Sequence, residues 1–160
     1  MGTRVPPQLR SKARWVRRSK RKIPLTPTGA HASSTDPTTW STLPDVLGAK
    51  RGAGIGFVLN GDGIVCIDLD HCLEAGELLP WAQPIVDALP TTWIEVSPSG
   101  DGLHVWGRGE AGAGRKLPVE GGQVEIYSQD RYITVTETPW RSSPMRLADL
   151  RPTIRSLVDA

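Results

Sequence analysis

Cysteine is scarce in this 160-residue chain: the two present, Cys66 and Cys72, are too few for a structural zinc site and poorly spaced for a disulfide framework. Cys66 sits in an apolar run and reads as core, and Cys72 as a buried or half-buried thiol. A zinc site from Cys72, His71 and His104 would need a fourth ligand from elsewhere, so no zinc is expected. No apolar run approaches the roughly 20 residues a membrane helix needs. The basic N-terminus lacks the continuous apolar segment of a secretory signal. The cytoplasm is the expected compartment, with no membrane partner. Acid is missing from residues 1–35, which carry nine Lys or Arg. The remainder holds ten basic residues against all seventeen acidic ones, a net of −7. One end is therefore basic and the body acidic. Arg14, Arg17, Arg18, Lys20, Arg21 and Lys22 are candidate contacts to a nucleic-acid backbone, where displaced counterions supply sequence-independent affinity. A solvated tail explains the same block equally well.

The 38% hydrophobic content suits one core. The expected organisation is a single domain, with 1–35 as a basic segment partly packed on the core and 36–160 as the body. Trp15 and Val16 interrupt the basic block as a short edge strand guarded by charge. Asp36 before Pro37 marks a helix start, and Pro44 divides that helix in two near Thr42 or Leu43. Residues 54–59 and 64–69 are β-rich runs separated by Asn60-Gly-Asp-Gly63, which predicts a hairpin. A helix is expected near 79–89, strands at 92–96, 103–106, 124–127 and 132–135, and a last helix near 146–158. Residues 107–122 are Gly-rich and read as a mobile loop. Strands interleaved with a few helices predict an α+β domain on a largely antiparallel sheet.

Asp68 and Asp70 close the second β-run, and period-two alternation puts both carboxylates on one face with Ile67 and Leu69 on the other. Paired carboxylates of this kind suit Mg²⁺ or Mn²⁺, although Asp-x-Asp alone is more often a solvated strand end. Ser97-Pro-Ser-Gly-Asp-Gly-Leu-His104 is the second constellation. Ser99, Gly100 and Gly102 leave amides free to approach phosphate oxygens, and His104 enters the next strand as a phosphate donor or acid-base group. The bland alternative is a surface turn with an incidental histidine. Glu125 stands on a strand between Val124 and Ile126 and by itself reads as solvent-facing. Arg131 could grip a triphosphate with its planar fork or pair on the surface with Asp130 or Glu137. Trp106 should share a face with His104 and offers a ring for a base to stack on, whereas Trp15, Trp40, Trp81 and Trp93 read as core.

Taken in order, Asp68-x-Asp70, Ser99-Gly-x-Gly-x-His104, and Glu125 followed by Arg131-Tyr-x-Thr-x-Thr136 resemble the archaeo-eukaryotic primase superfamily, most closely the primase-polymerase domains of phages and mobile elements. Trp15, the Lys22-x-Pro24 step, Ala32-Ser-Ser-Thr-Asp-Pro37, Trp40 and Gly54-Ile-Gly-Phe57 are similar to the same family's opening. Glu137 stands where members often have Gly. The resemblance implies an RRM-like catalytic sheet and template-directed primer synthesis or extension on single-stranded DNA from dNTPs or NTPs. By it, Asp68, Asp70 and Glu125 would hold two divalent ions, His104 would contact the nucleotide's phosphates, and Ser99, Gly100, Gly102 and Arg131 would complete the triphosphate pocket. It also implies a helicase or helical accessory domain as a partner in trans, in a bacterial host's cytoplasm if the protein is phage-encoded. Two alternatives stay open: a degenerate module that binds nucleotide or single strands without polymerising, and a metal-dependent phosphodiesterase using the same carboxylates.

Overall fold

The computed structural model describes residues 4–160. The chain runs through α1 (Pro7–Arg10), β1 (Trp15–Arg18), β2 (Pro24–Leu25), a single 3₁₀ turn (Pro37–Thr39), α2 (Leu43–Gly48), β3 (Gly54–Asn60) and β4 (Ile64–Asp70). It continues with β5 (Leu73–Glu74), β6 (Glu77–Leu78), α3 (Gln83–Asp87), β7 (Ile94–Val96) and β8 (Leu103–Arg108). Last come β9 (Arg115–Val119), β10 (Gly122–Tyr127), β11 (Gln129–Val135), β12 (Ala148–Asp149) and α4 (Arg151–Asp159). The architecture is α+β and mostly antiparallel, as the strand pattern predicts.

Two sheets face each other. The first has the order β11-β3-β1-β2. The second has the order β12-β8-β4-β10-β9, with β7 also paired to β8. Between them lies an aromatic core in which Trp15, Phe57, Trp93 and Trp106 are almost wholly buried and meet in edge and tilted contacts with centroids 5.0 to 6.1 Å apart. The outer face of the second sheet, with Ile67, Leu69, Val105, Val124 and Ile126, forms a separate apolar layer that includes Ile154 of α4 and packs against Ile85 of α3.

Several expectations are corrected. Residues 54–60 and 64–70 do not pair: β3 pairs with β1 and β11, and β4 with β8 and β10. Both runs are buried for nearly their whole length, so each needs a neighbour on both edges and a core on both faces. The Asn60–Gly63 turn therefore carries the chain from one sheet to the other, held there by Arg14 and Lys12 on Asp62. Residues 15–18 are an interior strand and not an edge, since β1 lies between β3 and β2. The Gly-rich stretch contains β9, paired to β10, so only part of it is loop. The Asp36 start holds, with its carboxylate accepting from the Thr38 amide at 3.1 Å, but it opens a single 3₁₀ turn; Thr42 caps the next helix. The helix expected near 79–89 is confined to α3, and the last one starts at Arg151, after the short strand β12.

Candidate active site

β4 is the middle of the site because both its neighbours carry charge on the same face. Asp68 lies opposite Glu125 of β10 on one side and His104 of β8 on the other, and His104 lies opposite Glu95 of β7. Lys116 of β9 extends the row beyond Glu125, with its amine 3.7 Å from the carboxylate. Five strands thus contribute one charged residue each to a line across the sheet: Lys116, Glu125, Asp68, His104, Glu95. On the same face, one pair of residues back along β4 and β8, Cys66 lies opposite Trp106 and both are fully buried. The facing sheets enclose an apolar core at one end and leave the charged row at the other.

Asp68, Asp70 and Glu125 bring carboxylate oxygens within 4.8 Å of one another, and among the described residues they are the group of three or more potential metal ligands in such reach. The donor set fits a hard divalent cation. Asp68 Oδ1 is buried without a hydrogen-bond partner, an orphaned acceptor of the kind a bound ion would satisfy. Burial pushes the Asp68 carboxyl up to about 6; His104 opposes this and the nearby Asp70 and Glu125 add to it. Three carboxylates forced together away from water favour a proton or a cation among them.

His104 is 5% exposed. Its Nδ1 lies 3.1 Å from Glu95 Oε2 and its Nε2 lies 4.0 Å from Asp68 Oδ1. Burial alone would lower the imidazole, but the hydrogen bond and charge of Glu95, with Asp68 beyond, hold it above the usual histidine range. A cavity of about 370 Å³ opens beside Asp68 and His104 and is lined also by Lys22, Tyr127, Arg131 and Tyr132. A larger cleft of about 920 Å³ lies at the opposite end of β4, around Ile64 and α4; it contains none of the three clustered carboxylates, so chemistry and not volume identifies the site.

Arg131 reaches the cavity because Asp130, with φ 57°, bulges β11 and re-aims the next residue. Its guanidinium lies 3.9 Å from the centroid of the Tyr127 ring. Lys22 arrives by a turn of its own. Its φ is 64°, and the Tyr132 hydroxyl donates to its carbonyl, placing this basic residue at the cavity.

The rest of the basic block divides. Arg14 is 7% exposed, donates to the Val58 carbonyl at 3.0 Å and pairs with Asp62. Arg17 donates to the Arg51 and Val46 carbonyls. Arg18 donates to the Ser19 carbonyl and is only partly exposed. Arg14 is thereby taken up in the fold, which corrects the expectation that it faces a phosphate backbone, while Arg17 and Arg18 are half-buried. Lys20 and Arg21 are exposed.

Two further corrections concern the site. The amides of Gly100 and Gly102 are not free: they donate to Ser97 O at 3.0 Å and Ser97 Oγ at 3.1 Å. Ser99 Oγ donates to Asp101 Oδ1. Gly102 is required by space, since a Cβ there would lie 2.9 Å from the Leu69 carbonyl. Of this turn, Pro98 lines the cavity. Trp106 shares a strand face with His104, as expected, but is fully buried against Trp93 and Phe57 and offers no ring to a base. Cys72 is a buried thiol pushed up to about 12 by desolvation, as its place next to the apolar strand suggested.

Glu137 does not face the cavity beside Asp68. Its Oε2 accepts from the Arg4 amide at 3.2 Å, and its φ of 58° explains why glycine is favoured there. Glu137→Gly is expected to stabilise the fold by about 0.5–1 kcal/mol, a melting rise of roughly 1–4 °C. A fall in melting temperature would mean that the Arg4 contact outweighs the backbone strain.

The residue that sequence reasoning missed is Glu95, fully buried between Ile94 and Val96. Its local pattern, an acid between two apolar strand residues, is that of Glu125 between Val124 and Ile126 and by itself reads as solvent-facing.

Residues 1–151 match the Prim-Pol family, described as bifunctional DNA primase/polymerase, N-terminal. A DNA primase-polymerase of Nitratiruptor phage NrS-1 is 37% identical over 138 residues, covering 76% of this chain. The chain spans 18% of that relative's length.

Proposed function

The chain belongs to the bifunctional DNA primase/polymerase family, and on that premise we propose that it is a template-directed nucleotidyltransferase that makes or extends primers on single-stranded DNA. The observation that carries this reading is the convergence of Asp68, Asp70 and Glu125 within 4.8 Å, next to a cavity lined by Lys22, His104 and Arg131. Two divalent ions, Mg²⁺ or Mn²⁺, held by the three carboxylates would activate the primer 3′-hydroxyl and stabilise the leaving pyrophosphate.

The chain's own groups do the remaining work. Asp68, Asp70 and Glu125 project from paired strands, so the ligand oxygens are positioned before anything binds. Lys22 and Arg131 bring positive charge to the cavity and His104 brings an imidazole, matching the polyphosphate of a dNTP or NTP. Arg131 is suited to bidentate grip, whereas Lys22 supplies a point charge. Ser99, Gly100 and Gly102 contribute by shaping the turn that precedes β8 and so fixing where His104 stands. Lys20 and Arg21, exposed beside Lys22, suit a template phosphate backbone. A helicase or helical accessory domain acting in trans, in a bacterial host's cytoplasm, completes the reading.

The test is extension of a labelled primer on a single-stranded DNA template with Mg²⁺ or Mn²⁺, supplying dNTPs and NTPs separately. Template-dependent products that disappear on chelation are expected. Nucleotide binding without any product would replace the enzyme with a binding module, and degradation of DNA without added nucleotide would replace it with a phosphodiesterase.

A further inference from the structure

Glu95 is a fully buried carboxylate with both oxygens hydrogen-bonded. Its Oε2 faces His104 Nδ1 at 3.1 Å. Its Oε1 accepts from the backbone amides of Thr136 and Glu137 at 3.0 and 3.2 Å, and from Thr136 Oγ1 at 3.3 Å. Burying a carboxylate is costly, and an apolar residue of similar volume often serves packing as well or better. The fold therefore does not need a charge at this position for its core. What the charge does is fix the imidazole: with Nδ1 committed to Glu95, the ring turns Nε2 towards Asp68 and the cavity.

We infer that Glu95 is the positioning residue of His104: its carboxylate accepts from Nδ1–H and fixes the ring plane, so that the N–H on Nε2 is aimed at the triphosphate. The inference rests on the nucleotide-contact role given to His104 above. Such outer partners orient a functional histidine by choosing its tautomer and its ring plane. Glu95 does more than hold one ring. Thr136 and Glu137 directly follow β11, the strand that carries Arg131. One carboxylate thus ties His104 in one sheet to the end of the strand that delivers Arg131 from the other. The carboxylate joins the two sides of the phosphate pocket alongside the backbone bonds from Val96 N–H to the Thr138 carbonyl and from Trp140 N–H to the Ile94 carbonyl.

The test is a double-mutant cycle read by dGTP binding in the presence of Mg²⁺, without primer or template, using calorimetry on the full chain, Glu95→Gln, His104→Ala and the double variant. Glutamine keeps the size of the side chain. Its carbonyl is retained by the Thr136 and Glu137 amides, which leaves its NH₂ against Nδ1. Glu95→Gln is expected to weaken dGTP about tenfold. In the His104→Ala background the same change should do nothing further, because no ring remains to position. Imidazole nitrogen shifts give an independent readout: Nδ1 carries a proton in the unmodified chain and loses it in Glu95→Gln. The inference is overturned if Glu95→Gln weakens binding equally with and without His104, which marks a structural role. Unweakened binding in Glu95→Gln while His104→Ala binds poorly also overturns it. If His104→Ala itself binds dGTP as well as the unmodified chain, the role of His104 fails first, and that of Glu95 with it.

Discussion

On the proposed reading, replacing both Asp68 and Asp70 by alanine is expected to abolish nucleotide incorporation while leaving a folded protein. The loss is expected to be about a thousand-fold or more, because removing carboxylates that would hold the proposed ions would forfeit ~4 kcal/mol or more of transition-state stabilisation, at 1.36 kcal/mol per tenfold. Stability should move the other way. The Asp68 carboxyl is raised from an ordinary 3.8 to about 6, chiefly by burial, so the folded chain holds its proton more tightly than the unfolded one. Without metal, the contribution of this group is fully present below about pH 4 and is lost as pH rises through about 6. At pH 7 the loss is on the order of 3 kcal/mol, since a tenfold change in proton affinity corresponds to about 1.4 kcal/mol. The metal-free double variant should therefore melt at or above the unmodified chain at pH 7, and the two should converge near pH 4. Primer extension and thermal melting at both pH values check the pair of effects. Incorporation within about tenfold of the unmodified chain, in a variant that still melts cooperatively, would remove these aspartates from the chemistry.

Trp106→Ala unfolds the protein more readily by about 3–5 kcal/mol without touching its affinity for single strands while it remains folded. Trp106 is fully buried, packs on Trp93 at a centroid distance of 5.4 Å and on Phe57 at 6.1 Å, and is covered by the facing sheet. Alanine leaves a cavity where three aromatic residues meet, and the surrounding strands can collapse only partly. Trp106→Phe should cost far less, because the indole N–H is already without a hydrogen-bond partner and only part of the ring volume is lost. Denaturant unfolding of the three proteins gives the stability order. DNA binding measured well below each melting point gives the second readout. A loss of single-strand affinity in folded Trp106→Phe would restore the tryptophan as a stacking platform.

The carboxylates were legible for a simple reason. Asp68 and Asp70 follow an unbroken apolar run, and strand alternation alone puts them on one face. Glu125 was legible as a candidate by its order after the first two motifs, yet its own neighbourhood allowed a solvent-facing role. Only the pairing of β10 with β4 puts it opposite Asp68. Glu95 went unread because nothing local distinguishes it from a strand acid facing water. Its partners lie 9 and 41 residues away. Arg14 failed in the opposite sense: a dense basic run reads as a polyanion contact, but the Val58 carbonyl and Asp62 take up its buried guanidinium.

The sequence by itself determined the longer strands β3, β4, β8, β10 and β11, the α+β class and the two aspartates, because those follow from side-chain periodicity and local backbone preference. The tertiary structure alone decided which strands are neighbours. The turn at 60–63 would serve a hairpin equally well, and β3 and β4 separate because each is buried on both faces and must find partners far along the chain. That choice assembles the row from Lys116 to Glu95, buries Trp106 in the core and turns Arg14 inward. Pairing of this kind is set by the burial available to the whole chain, which no local stretch of residues encodes.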